Sequence, residues 1–249
     1  MVGVKLVREE RFARIQLDRP DKLNALSPQL LDELVKICDQ LSDDDSIHVV
    51  LLEGVGASFS AGADLPAFSR ELETSPTRTA DLGRVASDAL ANLPQITIAA
   101  VHGHCIGGAL VLASVCDLRI AADDCRFWIP ELMAGIPLGW GGMAYVVQMV
   151  GEAMAADIVL SCRPFGPDDA LRTGFVSRVI PKADLEKETA ALIATIAAKP
   201  SLPLRATKDQ LKAIRGGTFD PKKDAQTMLR AVSDPESGAV FKEYADRLT

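Results

Sequence analysis

The apolar positions of this chain fall into short runs whose period switches between two and about three and a half residues. In residues 12–17, Ala13, Ile15 and Leu17 alternate with Phe12, Arg14 and Gln16, a strand pattern, and residues 4–7 form a partner strand. Asp18-Arg19-Pro20-Asp21 is turn chemistry, Ser27 is a good N-cap, and Pro28 stands at a first helical position. Leu30, Leu31, Leu34, Ile37, Cys38 and Leu41 then recur at helical spacing. Residues 47–52 are a short apolar run rich in β-branched residues, the pattern of a buried strand. The opening of the chain therefore reads strand, strand, helix, strand.

Residues 66–90 are polar and predict a segment that is helical in part and mobile in part. Residues 96–101 predict a second buried strand and residues 107–114 a helix of small residues. Residues 118–121, 127–129 and 176–180 predict extended pieces, 141–151 and 152–161 two helices, and 168–173 a helical turn. Beyond Pro181 every segment is helical in pattern, with Pro200, Gly216-Gly217 and Pro235 as punctuation. The expectation is an α/β core over residues 1–180 and a helical region over residues 181–249. No clean internal repeat is present.

Composition narrows the class. The chain has 249 residues, 48% hydrophobic and 24% charged, enough to bury a large core without covalent staples. A net charge of −7 argues against an extended nucleic-acid surface, though not against a small basic pocket for a phosphorylated ligand. Five cysteines without a CxxC read as reduced thiols of a cytoplasmic protein, with no metal cluster. The charged N-terminal residues lack a signal-peptide core, and the longest apolar stretches are too short to cross a membrane.

Two glycine-rich loops carry candidate chemistry, each directly after a strand. Ser58-Phe59-Ser60-Ala61-Gly62-Ala63-Asp64 has small residues that let a ligand approach the backbone. His104-Cys105-Ile106-Gly107-Gly108 opens a helix, whose first N–H groups have no intrahelical partner and favour an anionic oxygen. Either loop alone is also what a tight turn or close helix packing requires. Together, on neighbouring strands, they can aim one N–H each at one point, an oxyanion hole. Glu131 follows Pro130 and, read alone, is an ordinary first-turn glutamate. His104 reads as a structural histidine beside the loop. Trp128 and Trp140 read as core or pocket wall, and Lys242 and Arg247 as solvated charges within reach of a phosphate. Gly54-x-Gly56 lacks the third glycine of a dinucleotide loop, and no serine sits in a G-x-S-x-G frame.

In order along the chain, Asp18-Arg19-Pro20-x-x-x-Asn24-Ala25-Leu26, Phe59-Ser60-Ala61-Gly62-Ala63-Asp64-Leu65, Gly103-x-x-x-Gly107-Gly108 and Pro130-Glu131-x-x-x-Gly135-Ile136-Pro137 resemble the enoyl-CoA hydratase/isomerase (crotonase) superfamily. The resemblance implies a repeated ββα spiral core with a helical C-terminal trimerisation region. It also implies an acyl-CoA substrate, no cofactor beyond that coenzyme A, and homotrimers or hexamers. It makes the N–H groups of Ala63 and Gly108 the oxyanion donors and Glu131 the catalytic acid/base. Coenzyme A would lie along Lys22, Ala25, Ala61 and Leu65, and the acyl end near Gly107 and Val111. One departure bears on the reaction. Hydratases of the family carry a second glutamate three residues after the second oxyanion glycine, and here that residue is Val111. The preferred expectation is therefore single-base isomerisation of 3-enoyl-CoA to 2-enoyl-CoA. Hydration of 2-enoyl-CoA through Glu131, with Glu71 or Glu73 helping, is the alternative. Decarboxylation, thioester hydrolysis and non-catalytic acyl-CoA binding are the further readings.

Overall fold

The computed structural model describes residues 3–248. β1 (Val4–Arg8) and β2 (Phe12–Leu17) pair antiparallel, with Val4 opposite Leu17. A 3₁₀ turn at Pro20–Lys22 leads to α1 (Pro28–Ser42), where Ser27 Oγ accepts a hydrogen bond from Leu30 N–H at 3.2 Å. Every apolar position that the helical spacing places on the inner face of α1 is buried. β3 (Val49–Gly54) lies parallel to β2, with Phe12 opposite Val49.

Residues 66–90 form more regular structure than their polarity predicts. They belong to two helices, α2 (Leu65–Thr74) and α3 (Pro76–Asn92), started by the Asp64 side chain and by Pro76. The buried stripe of α3 is Thr79, Leu82, Gly83, Ala86, Ser87 and Leu90. It has helical spacing but is made mostly of small or weakly polar residues, so hydrophobicity alone undercounts it.

β4 (Ile96–Val101), β5 (His104–Ile106), α4 (Gly108–Val115), β6 (Leu118–Ala122) and β7 (Arg126–Trp128) follow. After them come α5 (Gly142–Val150), α6 (Glu152–Leu160), α7 (Pro167–Thr173) and β8 (Arg178–Ile180). The main sheet has the order β1-β2-β3-β4-β6-β8, parallel after its first pair. β5 and β7 pair parallel in a small second sheet. Single bridges extend that sheet: Leu26 with Ala63, Ser60 with Cys105, and Phe127 with Phe165. Successive passes of the chain thus add a strand to the main sheet, a short segment to the second, and helical cover, which is the repeated spiral of the crotonase fold.

The two-residue period of the strands divides the core. Val50, Leu52, Ala99, Val101 and Ala121 point into one cluster with side chains of α1, α3 and α4. Val49, Leu51, Ile98, Ala100 and Ile120 point the other way. There α8 (Leu185–Ala197) covers them with Leu192, Ile193 and Ala197. α9 (Ser201–Arg215), α10 (Asp224–Ser233) and α11 (Pro235–Asp246) complete the described chain. No helix among the described residues is long and apolar enough to cross a membrane, and all five cysteines are buried thiols. No group of three or more His, Cys, Asp or Glu among the described residues could hold a metal ion.

A buried ion pair ties α9 to the core. Lys208, its side chain 1% exposed, reaches Asp117 Oδ2 at 2.8 Å and the Gln95 carbonyl at 2.6 Å. Asp117 also accepts from Thr97 N–H at 2.9 Å and Thr97 Oγ1–H at 3.0 Å. Removing one partner of such a pair strands the other charge at a cost of about 3–5 kcal/mol. Lys208→Met is expected to lower the unfolding free energy by about 3 kcal/mol, read by urea denaturation. Arg215, 3.6 Å from Asp117 Oδ1, softens the loss without abolishing it.

Candidate active site

The site is assembled from Asn24 upward. Leu23 and Asn24 both adopt left-handed backbone conformations (φ 48° and 57°), uncommon for residues other than glycine. The buried Asn24 side chain holds them there. Its Oδ1 accepts from Arg19 N–H at 2.8 Å, and its Nδ2 donates to the carbonyls of Val55 and Ser58 at 2.9 and 2.8 Å. The bend then closes on the next loop: Ala61 N–H donates to the Leu23 carbonyl at 2.8 Å and Ser60 Oγ–H to the Asn24 carbonyl at 2.7 Å. The segment carrying Lys22 and Ala25 is thereby joined to the segment carrying Ala61 and Leu65. Lys22 and Leu65 are exposed, and Ala25 and Ala61 are half-buried.

Asp64 locks the junction. Arg19 reaches its Oδ2 at 2.9 Å and the Ala25 carbonyl at 2.6 Å, and Lys22 Nζ lies 3.8 Å from the same carboxylate. Burial opposes the Asp64 charge, yet Arg19, Ala67 N–H and Lys22 together hold its carboxyl below the usual carboxylate range.

Ala63 sits in a parallel bridge with Leu26. Leu26 N–H donates to the Gly62 carbonyl and Asp64 N–H to the Leu26 carbonyl, both at 2.8 Å. Those bonds use the groups flanking Ala63, so its own N–H points to the opposite side. Gly108 is the first residue of α4, where N–H groups lack intrahelical partners. The preceding Gly107 N–H is taken by the Trp128 carbonyl at 2.8 Å. Neither Ala63 N–H nor Gly108 N–H donates to a backbone carbonyl among the described residues. Each lies three residues beyond one member of the Ser60–Cys105 bridge. Gly62 (φ 88°) permits the approach of the two loops, because a Cβ there would stand 2.6 Å from the Ile106 carbonyl oxygen.

β7 delivers Glu131 to the same place through a 3₁₀ turn at Glu131–Ala134. A Cβ on Gly107 would lie 2.5 Å from Glu131 Oε1, so the carboxylate rests directly over the Gly107 backbone. Glu131 Oε2 is buried without a hydrogen-bond partner. Burial pushes the Glu131 carboxyl above its ordinary value and outweighs a hydrogen bond with its own backbone. Glu131 is thus a half-buried carboxylate with an unpartnered oxygen, resting over the residue that precedes Gly108; a group of this kind is a candidate acid/base.

Val111 is 0% exposed. Its Cγ2 stands 2.5 Å from where a Cβ on Gly142 would be, so it packs under that glycine. His104 Nδ1 lies 3.2 Å from Ser58 Oγ, a structural tie between the two loops. Glu71 is engaged by Arg78 at 2.7 Å and Gln29 Nε2 at 3.1 Å, and Arg247 pairs with Glu243. A cavity of about 630 Å³ lies elsewhere, between Asp45, Arg205 and α10. The residue whose place at the site the sequence reading left open is Trp140, whose indole lies against Gly108 and Gly83. Gly83 was its one signal, since an interior helical glycine costs about 1 kcal/mol and needs a packing reason.

A family model described as enoyl-CoA hydratase/isomerase matches residues 8–231. A Mycobacterium bovis protein named as a probable enoyl-CoA hydratase is 36% identical over 202 residues, 81% of this chain and 78% of its own. Among solved structures, an enoyl-CoA hydratase/carnithine racemase from Magnetospirillum magneticum superposes with a TM-score of 0.92 at 29% identity, covering 99% of this chain and 94% of that one. A Thermobifida fusca protein in complex with acetoacetyl-CoA superposes with a TM-score of 0.83 at 28% identity, covering 92% of each chain.

The raised Glu131 carboxyl has a stability consequence. The unfolded chain titrates this group near about 4.3 and the folded chain above it. Between those values the unfolded state loses its proton first, so stability falls as pH rises through the window and stays lower beyond it. Glu131→Gln removes that penalty. Its Tm is expected to exceed that of the parent protein at pH 8, with the difference shrinking towards pH 4. A lower Tm at pH 8 would show that the carboxylate is paired.

Proposed function

The chain belongs to the enoyl-CoA hydratase/isomerase family, and we propose that it isomerises 3-enoyl-CoA to 2-enoyl-CoA with Glu131 as its single acid/base. The thioester carbonyl oxygen accepts hydrogen bonds from Ala63 N–H and Gly108 N–H. Glu131 takes a proton from C2, and the electron pair spreads over a dienolate whose oxygen charge those donors stabilise, by about 3–4 kcal/mol each. The same carboxyl returns the proton at C4, leaving the double bond between C2 and C3. Nothing is added or lost, so neither a second carboxylate nor a cofactor is needed. The desolvated, unpaired state of Glu131 suits the task, because a pKa raised towards neutrality lets one group both accept and donate.

The observation that carries this reading is one unpaired carboxylate over Gly107 together with a fully buried Val111 on the same helix. Acyl-CoA binding is supported by the acetoacetyl-CoA complex of the Thermobifida fusca protein, and in this reading coenzyme A lies along Lys22, Ala25, Ala61 and Leu65. The name of the Mycobacterium bovis relative favours a second reading, hydration of 2-enoyl-CoA with Glu131 both placing and delivering water. Exposed apolar side chains on α10 and α11, among them Met228, Leu229, Phe241 and Tyr244, are the contact surface of a homotrimer or hexamer in this account.

Mixing the protein with 3-enoyl-CoA is expected to raise the absorbance of the conjugated thioester. Glu131→Gln is expected to slow that conversion by about a thousandfold. Hydration of crotonyl-CoA is expected to run at least about a hundredfold slower than isomerisation. Hydration without isomerisation would replace this reading with the second one, and acyl-CoA binding without either reaction would make the protein a carrier.

A further inference from the structure

The indole of Trp140 lies between two glycines. A Cβ on Gly83 of α3 would stand 2.0–2.1 Å from the indole's ring-fusion carbons, and a Cβ on Gly108 of α4 would stand 2.2–2.7 Å from its six-membered half. Phe68 of α2 closes a third side, its ring centroid 6.1 Å from that of Trp140. Trp140 itself has φ 61°, a left-handed conformation that a bulky residue rarely takes. Two residues on, Gly142 sits on Val111. A helix-interior glycine and a strained aromatic residue thus both serve to bring one indole edge onto the backbone of Gly108. Strain of this kind persists where surrounding structure over-determines it and clusters at functional sites.

A carbonyl held at Gly108 N–H brings the first carbons of its acyl chain beside Gly108. Glu131 stands on the Gly107 side of that position, and the Trp140 ring fills the space where α2, α3 and α4 converge. We propose that Trp140 is the end wall of the acyl pocket and restricts this protein to short acyl chains. The inference rests on the acyl-CoA reading above and deepens it. Removing the indole opens a channel between Gly83, Phe68 and Gly108 that is lined by glycine backbone and one aromatic ring, a surface suited to a longer hydrocarbon chain.

Calorimetric binding of two saturated thioesters, butyryl-CoA and decanoyl-CoA, tests this without requiring turnover. The parent protein is expected to bind butyryl-CoA more tightly by about tenfold or more. Trp140→Ala is expected to abolish or reverse that preference, with Trp140→Phe intermediate. Circular dichroism checks that each variant folds, and Trp140→Phe carries the test alone if the alanine variant does not. An unchanged preference in the folded variants, or equal affinity of the parent protein for both thioesters, overturns the end wall and leaves the acyl-CoA reading standing. A parent protein that binds neither thioester overturns that reading itself.

Discussion

The pairing of Ser60 with Cys105 is the contact on which the rest of the site depends. It is a single bridge, closed by Ser60 N–H to the His104 carbonyl and Ile106 N–H to the Ser60 carbonyl. From it the two loops run on in step, and Gly62 lets them touch at Ile106. Ala63 and Gly108 each lie three residues beyond one member of that pair, and in the proposed mechanism their N–H groups hold the same oxygen. Gly62, Gly107 and Gly108 are each held by a neighbour that a Cβ would strike.

Around this frame, charge is distributed unequally. Asp64 is surrounded by Arg19, Lys22 and Ala67 N–H, so it is a structural anion. Asp117 is likewise paired, its Oδ2 held by Lys208 and Thr97 and its Oδ1 lying 3.6 Å from Arg215. Glu131 has a buried, unpartnered oxygen and, unlike Asp64 and Asp117, no ion pair among the described residues, and burial raises its carboxyl. In the proposed mechanism that cost falls on the carboxylate that exchanges protons, a trade of stability for activity.

Much of this was legible in the sequence. The strands of the main sheet and α1 follow from hydrophobic period and from Ser27-Pro28 capping, because their side chains meet a continuous apolar core. The two glycine loops could be read because each follows a strand, and the linked motifs carried the family. What the sequence obscured was long-range and made of small residues. The α3 stripe is built from Thr79, Gly83, Ala86 and Ser87, which carry little hydrophobic signal. The sandwich of Trp140 by Gly83 and Gly108 joins three distant segments, and no local pattern reports a close approach between them. Val111 is packed beneath the segment from Trp140 to Gly142, its Cγ2 2.5 Å from where a Cβ on Gly142 would be.

The central claim is that Glu131 and the two N–H groups generate a thioester enolate, whatever reaction then consumes it. Proton exchange at C2 of butyryl-CoA in D₂O, followed by NMR, reads that step directly, because this saturated thioester can be neither isomerised nor hydrated. Deuterium is expected at C2 with the parent protein and none above background with Glu131→Gln. Binding of butyryl-CoA without exchange, or exchange that persists in Glu131→Gln, would contradict the claim.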